Sequence, residues 1–143
     1  MANRRLPHGW RQFCALDAAE RWLVIEAFML MAIIQVGFRT MPFAMLRRWL
    51  DKGKGCRGAA HTQARIAWAV NAAGRRLPGR TCLSEALAAD VMLRRRGYTS
   101  SVRFGIRKIR GSSDPPQAHA WVECGGTIVT GQLPMMDDYK LLY

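Results

Sequence analysis

The sequence predicts an α+β fold in which helices come first and an antiparallel sheet follows. Three observations carry this. Apolar residues recur at helical spacing up to about residue 96. The period then changes, with Val102, Phe104 and Ile106 alternating with Arg103, Gly105 and Arg107 as a half-exposed strand does. Finally, Gly125-Gly126 separates two strand-like runs, a strong two-residue hairpin signal. With 143 residues, half of them apolar, the chain fits one domain around one core and disfavours disorder over most of its length.

Taken in order, residues 1–16 read as a basic, loosely structured start, and residues 17–143 as a single domain. Its helical part covers about 17–96 and its sheet part about 98–143. Asp17 with Glu20 three residues on forms a capping-box pattern, which predicts a helix from about Ala18 to Val36, ending near Gly37. Within it, Trp22 to Phe38 is interrupted only by Glu26, Gln35 and Gly37. Such a run is at the lower edge of membrane-span length, and an internal carboxylate costs roughly 3 kcal/mol on insertion. A helix buried on most sides by protein is the preferred reading. The nearby Arg39, Arg47 and Arg48 leave peripheral membrane contact through the Trp22–Phe38 helix open.

Met41-Pro42 permits a new start, and Phe43 to Leu50 reads as a short amphipathic helix. Asp51 to Gly58 is a linker by composition. A helix from about Thr62 to Ala73 offers Ile66, Ala69, Val70, Ala73 and in part Trp68 as its apolar face, and Pro78-Gly79 closes the turn after it. The next helix runs from Cys82 to about Arg96, with Leu83, Leu87 and Val91 in its stripe and Ala86 and Leu93 on the adjoining edge. Arg94-Arg95-Arg96-Gly97 supplies the cations and the glycine that helix C-termini favour.

Gly111 to Pro116 is a loop, Ala118 to Cys124 and Thr127 to Gln132 are strands, and the tail from Leu133 to Tyr139 is irregular. A two-residue turn would pair Cys124 with Thr127, Glu123 with Ile128, Trp121 with Thr130 and His119 with Gln132.

The net charge is +12, and 18 of the 22 basic residues are arginine. That balance suggests an acidic partner: nucleic acid, anionic lipid, or an acidic peptide or protein. The basic residues are dispersed and carry no nucleic-acid motif, so nucleic acid is not expected. A basic nucleic-acid-binding domain and a catalytically silent scaffold are the alternatives from other function classes. Cys14, Cys56, Cys82 and Cys124 form no Cys-x-x-Cys pair, which disfavours a structural metal. No cofactor is implied. Without an evident signal peptide, reduced cysteines in a cytoplasm is the simplest reading.

The chemistry-bearing pair is Cys82, at the head of a helix, and His119, at the head of a strand. Unpaired N–H groups and the helix dipole favour a thiolate at a helix N-terminus, and a histidine beside it can act as general base. This points to cysteine-based acyl chemistry. Against it, a free cysteine is often a small buried hydrophobe, and Glu85, one turn on, opposes a thiolate.

Three motifs add to that reading. Leu77-Pro78-Gly79-Arg80-Thr81-Cys82-Leu83-Ser84-Glu85-Ala86-Leu87, Leu93-Arg94-Arg95-Arg96-Gly97-Tyr98 and Ala118-His119-Ala120-Trp121-Val122-Glu123 resemble the lasso-peptide B proteins. These are maturation peptidases of the transglutaminase-like, papain-related superfamily, and the apolar N-terminal helix before Arg47-Arg48 is also typical of them. The resemblance covers about Asp17 to Gln132. It implies a cysteine peptidase, with Cys82 as nucleophile and His119 as base, that removes the leader from a ribosomally made precursor. It implies as partners the precursor's leader region, a separate leader-recognition protein and a lasso cyclase. An acyl-transfer enzyme using the same pair is the near alternative. The family's acidic residue on the strand after the histidine is missing from Thr127 to Gln132. Gln132 is the first candidate to orient His119, by the pairing above; Asp137 or Asp138 is the second.

Trp121 reads first as packing, Cys124 as structural, His8 and His61 as ordinary exposed or helical residues, and Arg94 to Arg96 as a solvated helix end with leader docking as a second reading. No role is assigned to Glu123 or Tyr98 beyond their motifs.

Overall fold

The computed structural model describes residues 13–52, 62–108, 111, 113, 115–134 and 136–142. His8, Cys56, His61, residues 1–12 of the basic start and most of the linker lie outside them. Helix α1 spans Ala18–Thr40, α2 Phe43–Lys52, α3 Gln63–Gly74 and α4 Cys82–Arg95. Strands β1 Ser100–Arg107, β2 Gln117–Cys124, β3 Thr127–Thr130 and β4 Lys140–Leu141 follow, so the α+β order holds. They form an antiparallel sheet in the order β3-β2-β1-β4.

Helix α1 opens on the anticipated capping box, Asp17 and Glu20 each accepting the other's backbone N–H. It continues past Gly37 to Thr40, a correction with a packing cause. Gly37 is buried, and a Cβ there would come within 2.6 Å of Leu46 Cδ1, so the glycine admits α2 rather than ending α1. Pro42 ends the helix by holding Met41 extended. Phe13 and Leu16, inside the segment expected to be loose, pack on the core.

Helix α4 is the centre of the domain. Instead of one apolar stripe it is buried all round from Ala86 to Leu93, because α1 and α3 lie on one side and the sheet on the other. Its C-terminus closes as a Schellman turn: Gly97 (φ +85°) donates to the Arg94 carbonyl and Tyr98 to that of Leu93. Ser100 Oγ then donates to Asp90 Oδ1 at 2.7 Å, tying the start of β1 to the last third of α4.

The hairpin turn is where expected, with Gly125 at φ +59° and Gly126 at φ +80°. Cys124 pairs with Thr127 and Glu123 with Ile128, but Val122 then pairs with Thr130. A bulge at Val129 shifts the register by one, and β3 ends at Thr130. The expected Trp121–Thr130 and His119–Gln132 pairs are therefore not formed. The tail is also more ordered than expected. A 3₁₀ turn over Met136–Asp138 leads into β4, which pairs with Gly105 and Ile106, and Leu142 donates to the Phe104 carbonyl at 2.8 Å.

Candidate active site

Cys82 occupies the first turn of α4, where backbone N–H groups lack intrahelical partners. Thr81 caps the helix: its hydroxyl accepts from the Ser84 N–H, and Ser84 Oγ accepts from the Thr81 N–H, both at 3.1 Å. Ser84 is fully buried, so this box fixes the helix start rigidly beneath the half-buried Cys82. The sequence objection from Glu85 weakens here, because Arg80 holds the carboxylate in an ion pair at 3.1 Å. The negative charge opposing a thiolate is thus partly neutralised.

His119 is held from three sides. Its ring stacks on Trp121 (centroids 6.1 Å, planes 20° apart) and tilts against Tyr139 at 5.7 Å. Its Nε2 lies 2.6 Å from the Gly131 carbonyl oxygen. A carbonyl only accepts, so Nε2 carries the proton and donates, leaving Nδ1 as the basic nitrogen of the neutral ring. The strand opposite contributes Gly105, where a Cβ would come within 2.9 Å of the Trp121 ring and 3.1 Å of Tyr139 Cβ. Only glycine admits both aromatics.

Trp121 is itself fixed. Its indole N–H donates to Glu123 Oε1 at 3.0 Å, and Arg103 Nε donates to Glu123 Oε2 at 3.1 Å. Tyr139 is covered by the Arg107 guanidinium at 5.5 Å, and Arg107 also donates to Gln117 and pairs with Asp138. Glu123 thus acquires a role that sequence alone did not suggest: it locks the ring on which the imidazole rests. Glycine inside an otherwise alternating strand was the available signal for the close approach at Gly105.

The group at His119 Nε2 is therefore the backbone of Gly131. Gln132 is exposed and lies one residue beyond, Asp138 pairs with Arg107, and Asp137 is exposed. Gly131 has φ +82°, and a Cβ there would be 2.8 Å from the Ala120 carbonyl oxygen, so the position requires glycine. Gly131→Ala is expected to displace this carbonyl, lowering turnover at least about tenfold and stability by about 1–3 kcal/mol. Gln132→Ala should leave turnover within about twofold. Steady-state rates of the two variants, with melting curves, decide between backbone and side chain.

The structure does not bring Cys82 and His119 together: Cys82 packs with the core on the helical side of the sheet, and the imidazole lies on the other face. The His119 ring is on the face shared with Trp121, whereas Ala120, Val122 and Cys124 meet the helices. Among the described residues, no hydrogen bond joins the Cys82 thiol to the imidazole.

Cys124 is buried, accepts from Gln63 Nε2 at 3.2 Å, and has its thiol pKa pushed up by that burial. Alkylation of the native protein is expected to label Cys14 and Cys82 more than about tenfold faster than Cys124. Equal labelling, read by peptide mass spectrometry, would contradict this placement. Among the described residues, no three His, Cys, Asp or Glu side chains are grouped as metal ligands would be.

A family model for the transglutaminase-like superfamily matches residues 28–143, a span that includes both Cys82 and His119. Neither curated proteins nor solved structures gave a match.

Proposed function

We propose, for a chain that belongs to the transglutaminase-like superfamily, a cysteine peptidase that removes the leader from a ribosomally made lasso-type precursor. That superfamily includes cysteine peptidases and acyl-transferases. The observation that carries the reading is Cys82 at a doubly capped helix start, in a chain whose His119 is held with Nδ1 as its basic nitrogen. The leader and its partners, a separate leader-recognition protein and a cyclase, rest on the resemblance of the Cys82, Tyr98 and His119 motifs.

Cys82 passes its proton to His119 Nδ1, and the thiolate attacks the scissile carbonyl. The tetrahedral adduct collapses to a thioester as the imidazolium gives its proton to the departing amine. Water, deprotonated by His119, then releases the acyl group as a carboxylate and restores the thiol. The step requires thiol and imidazole to meet, whereas this structure holds the His119 ring on the sheet face away from α4.

The test is mass spectrometry of a precursor peptide incubated with the chain, with and without a leader-recognition protein. Cleavage yielding a leader with a free C-terminal carboxylate supports the peptidase. A product carrying a new amide assigns acyl transfer instead. Recovery of unchanged precursor, even with the recognition protein present, sinks both.

A further inference from the structure

Among the described residues, one side of α1 is apolar and unpartnered. Leu23, Ala27, Leu30, Met31 and Ile34 face the core, but Trp22 (68% exposed), Ile25, Met29, Ile33 and Val36 (56%) face outward. At 100° per residue these five fall within a sector of about 80° and run about 21 Å along the helix. Helix α2 adds exposed Phe43, Met45 and Trp49.

Charge decides what fits this stripe. On one flank stand Arg21 and Arg39, separated by whole turns and forming no ion pair among the described residues. On the other flank Glu26 is bridged by both Arg95 and Arg96, which leaves a net positive charge. The remaining acid of α1, Glu20, is paired with Arg65. An apolar strip between two basic rims, on a chain of net charge +12, repels a second copy of itself and attracts an anionic surface. Exposed tryptophan and phenylalanine beside arginine is the composition of helices lying in the membrane–water interface.

We propose that α1 docks this protein on an anionic lipid bilayer, lying in the plane of the interface with Trp22, Met29, Ile33 and Val36 dipped below the headgroups. The helix has the length and hydropathy of a membrane span, but spanning is excluded while its other face holds the core of the domain. The inference does not depend on the catalytic reading.

The experiment is sedimentation of the full chain with vesicles of phosphatidylcholine alone and of phosphatidylcholine with phosphatidylglycerol. The chain should bind the anionic vesicles at least about tenfold more tightly than the neutral ones, with a blue shift of tryptophan emission, and high salt should weaken binding. The exposed double substitution Met29→Glu and Ile33→Glu should reduce binding at least about tenfold while circular dichroism stays native. No binding to anionic vesicles overturns the proposal, as does equal binding by the double variant. A dimer in solution that the double variant makes monomeric also overturns it, assigning the stripe to a second copy.

Discussion

Cys82→Ala is expected to lower precursor cleavage by at least about 10⁴-fold, the scale seen when a covalent nucleophile is removed. The loss should appear in kcat, because in the proposed reaction the thiol forms the bond that defines the transition state and contributes little to ground-state binding. The fold should survive. Cys82 sits half-buried in the first turn of α4, and the cap that starts the helix belongs to Thr81 and Ser84. Removing one sulfur from a partly exposed site costs about 1 kcal/mol or less. A melting temperature close to wild type, with cleavage gone, is therefore the expected pair of readings. Cleavage at the wild-type rate by Cys82→Ala would end the assignment of this residue. Cys82→Ser separates nucleophilicity from packing, since the hydroxyl keeps the shape but ionises far less readily.

The largest effect on stability is expected at Asp90, far from the thiol. Asp90 is fully buried, and its carboxylate receives Arg94 Nη2 at 2.6 Å, Ser100 Oγ at 2.7 Å and Arg47 Nη1 at 3.5 Å. One side chain thus joins α4, α2 and the first residue of β1. Asp90→Ala removes the buried partner of Arg94, which keeps Asp51, and leaves the Ser100 hydroxyl only the backbone carbonyl of residue 90 at 3.5 Å, for a cost of about 2–4 kcal/mol. In a domain of this size that is roughly 10 °C in melting temperature and a large share of total stability. Denaturant unfolding measures it, and a loss under about 1 kcal/mol would show that the network contributes little. Activity per folded molecule should be nearly unchanged.

The helices were legible because their signals are local. Asp17 with Glu20, Pro42, and Arg94 to Gly97 each act within a turn of the end they define. Gly37 misled because a glycine admitting a neighbouring helix and a glycine ending its own look alike in sequence; only Leu46 distinguishes them. The Gly125-Gly126 turn was legible for the same local reason, but the bulge at Val129 was not. One unpaired residue in a β-branched run leaves no compositional trace, yet it moves every later pair by one. That displaced the expected partner of His119 from Gln132 and left the Gly131 backbone at the ring. Strand β4 is only two residues long, too short for any period to show. Asp90 stands in the sequence as one acid inside the apolar run Ala86 to Leu93, with Arg94 four residues on, but nothing local shows that Ser100 and Arg47 reach it.

The carbonyl at His119 has one further consequence. A carboxylate in that position aims the imidazole and also supplies a countercharge once the ring is protonated. The peptide oxygen of Gly131 does only the first: it is a neutral dipole that gains and loses no proton at any working pH. In the proposed mechanism the positive ring would have only the Cys82 thiolate as its countercharge, with no orienting carboxylate to share it.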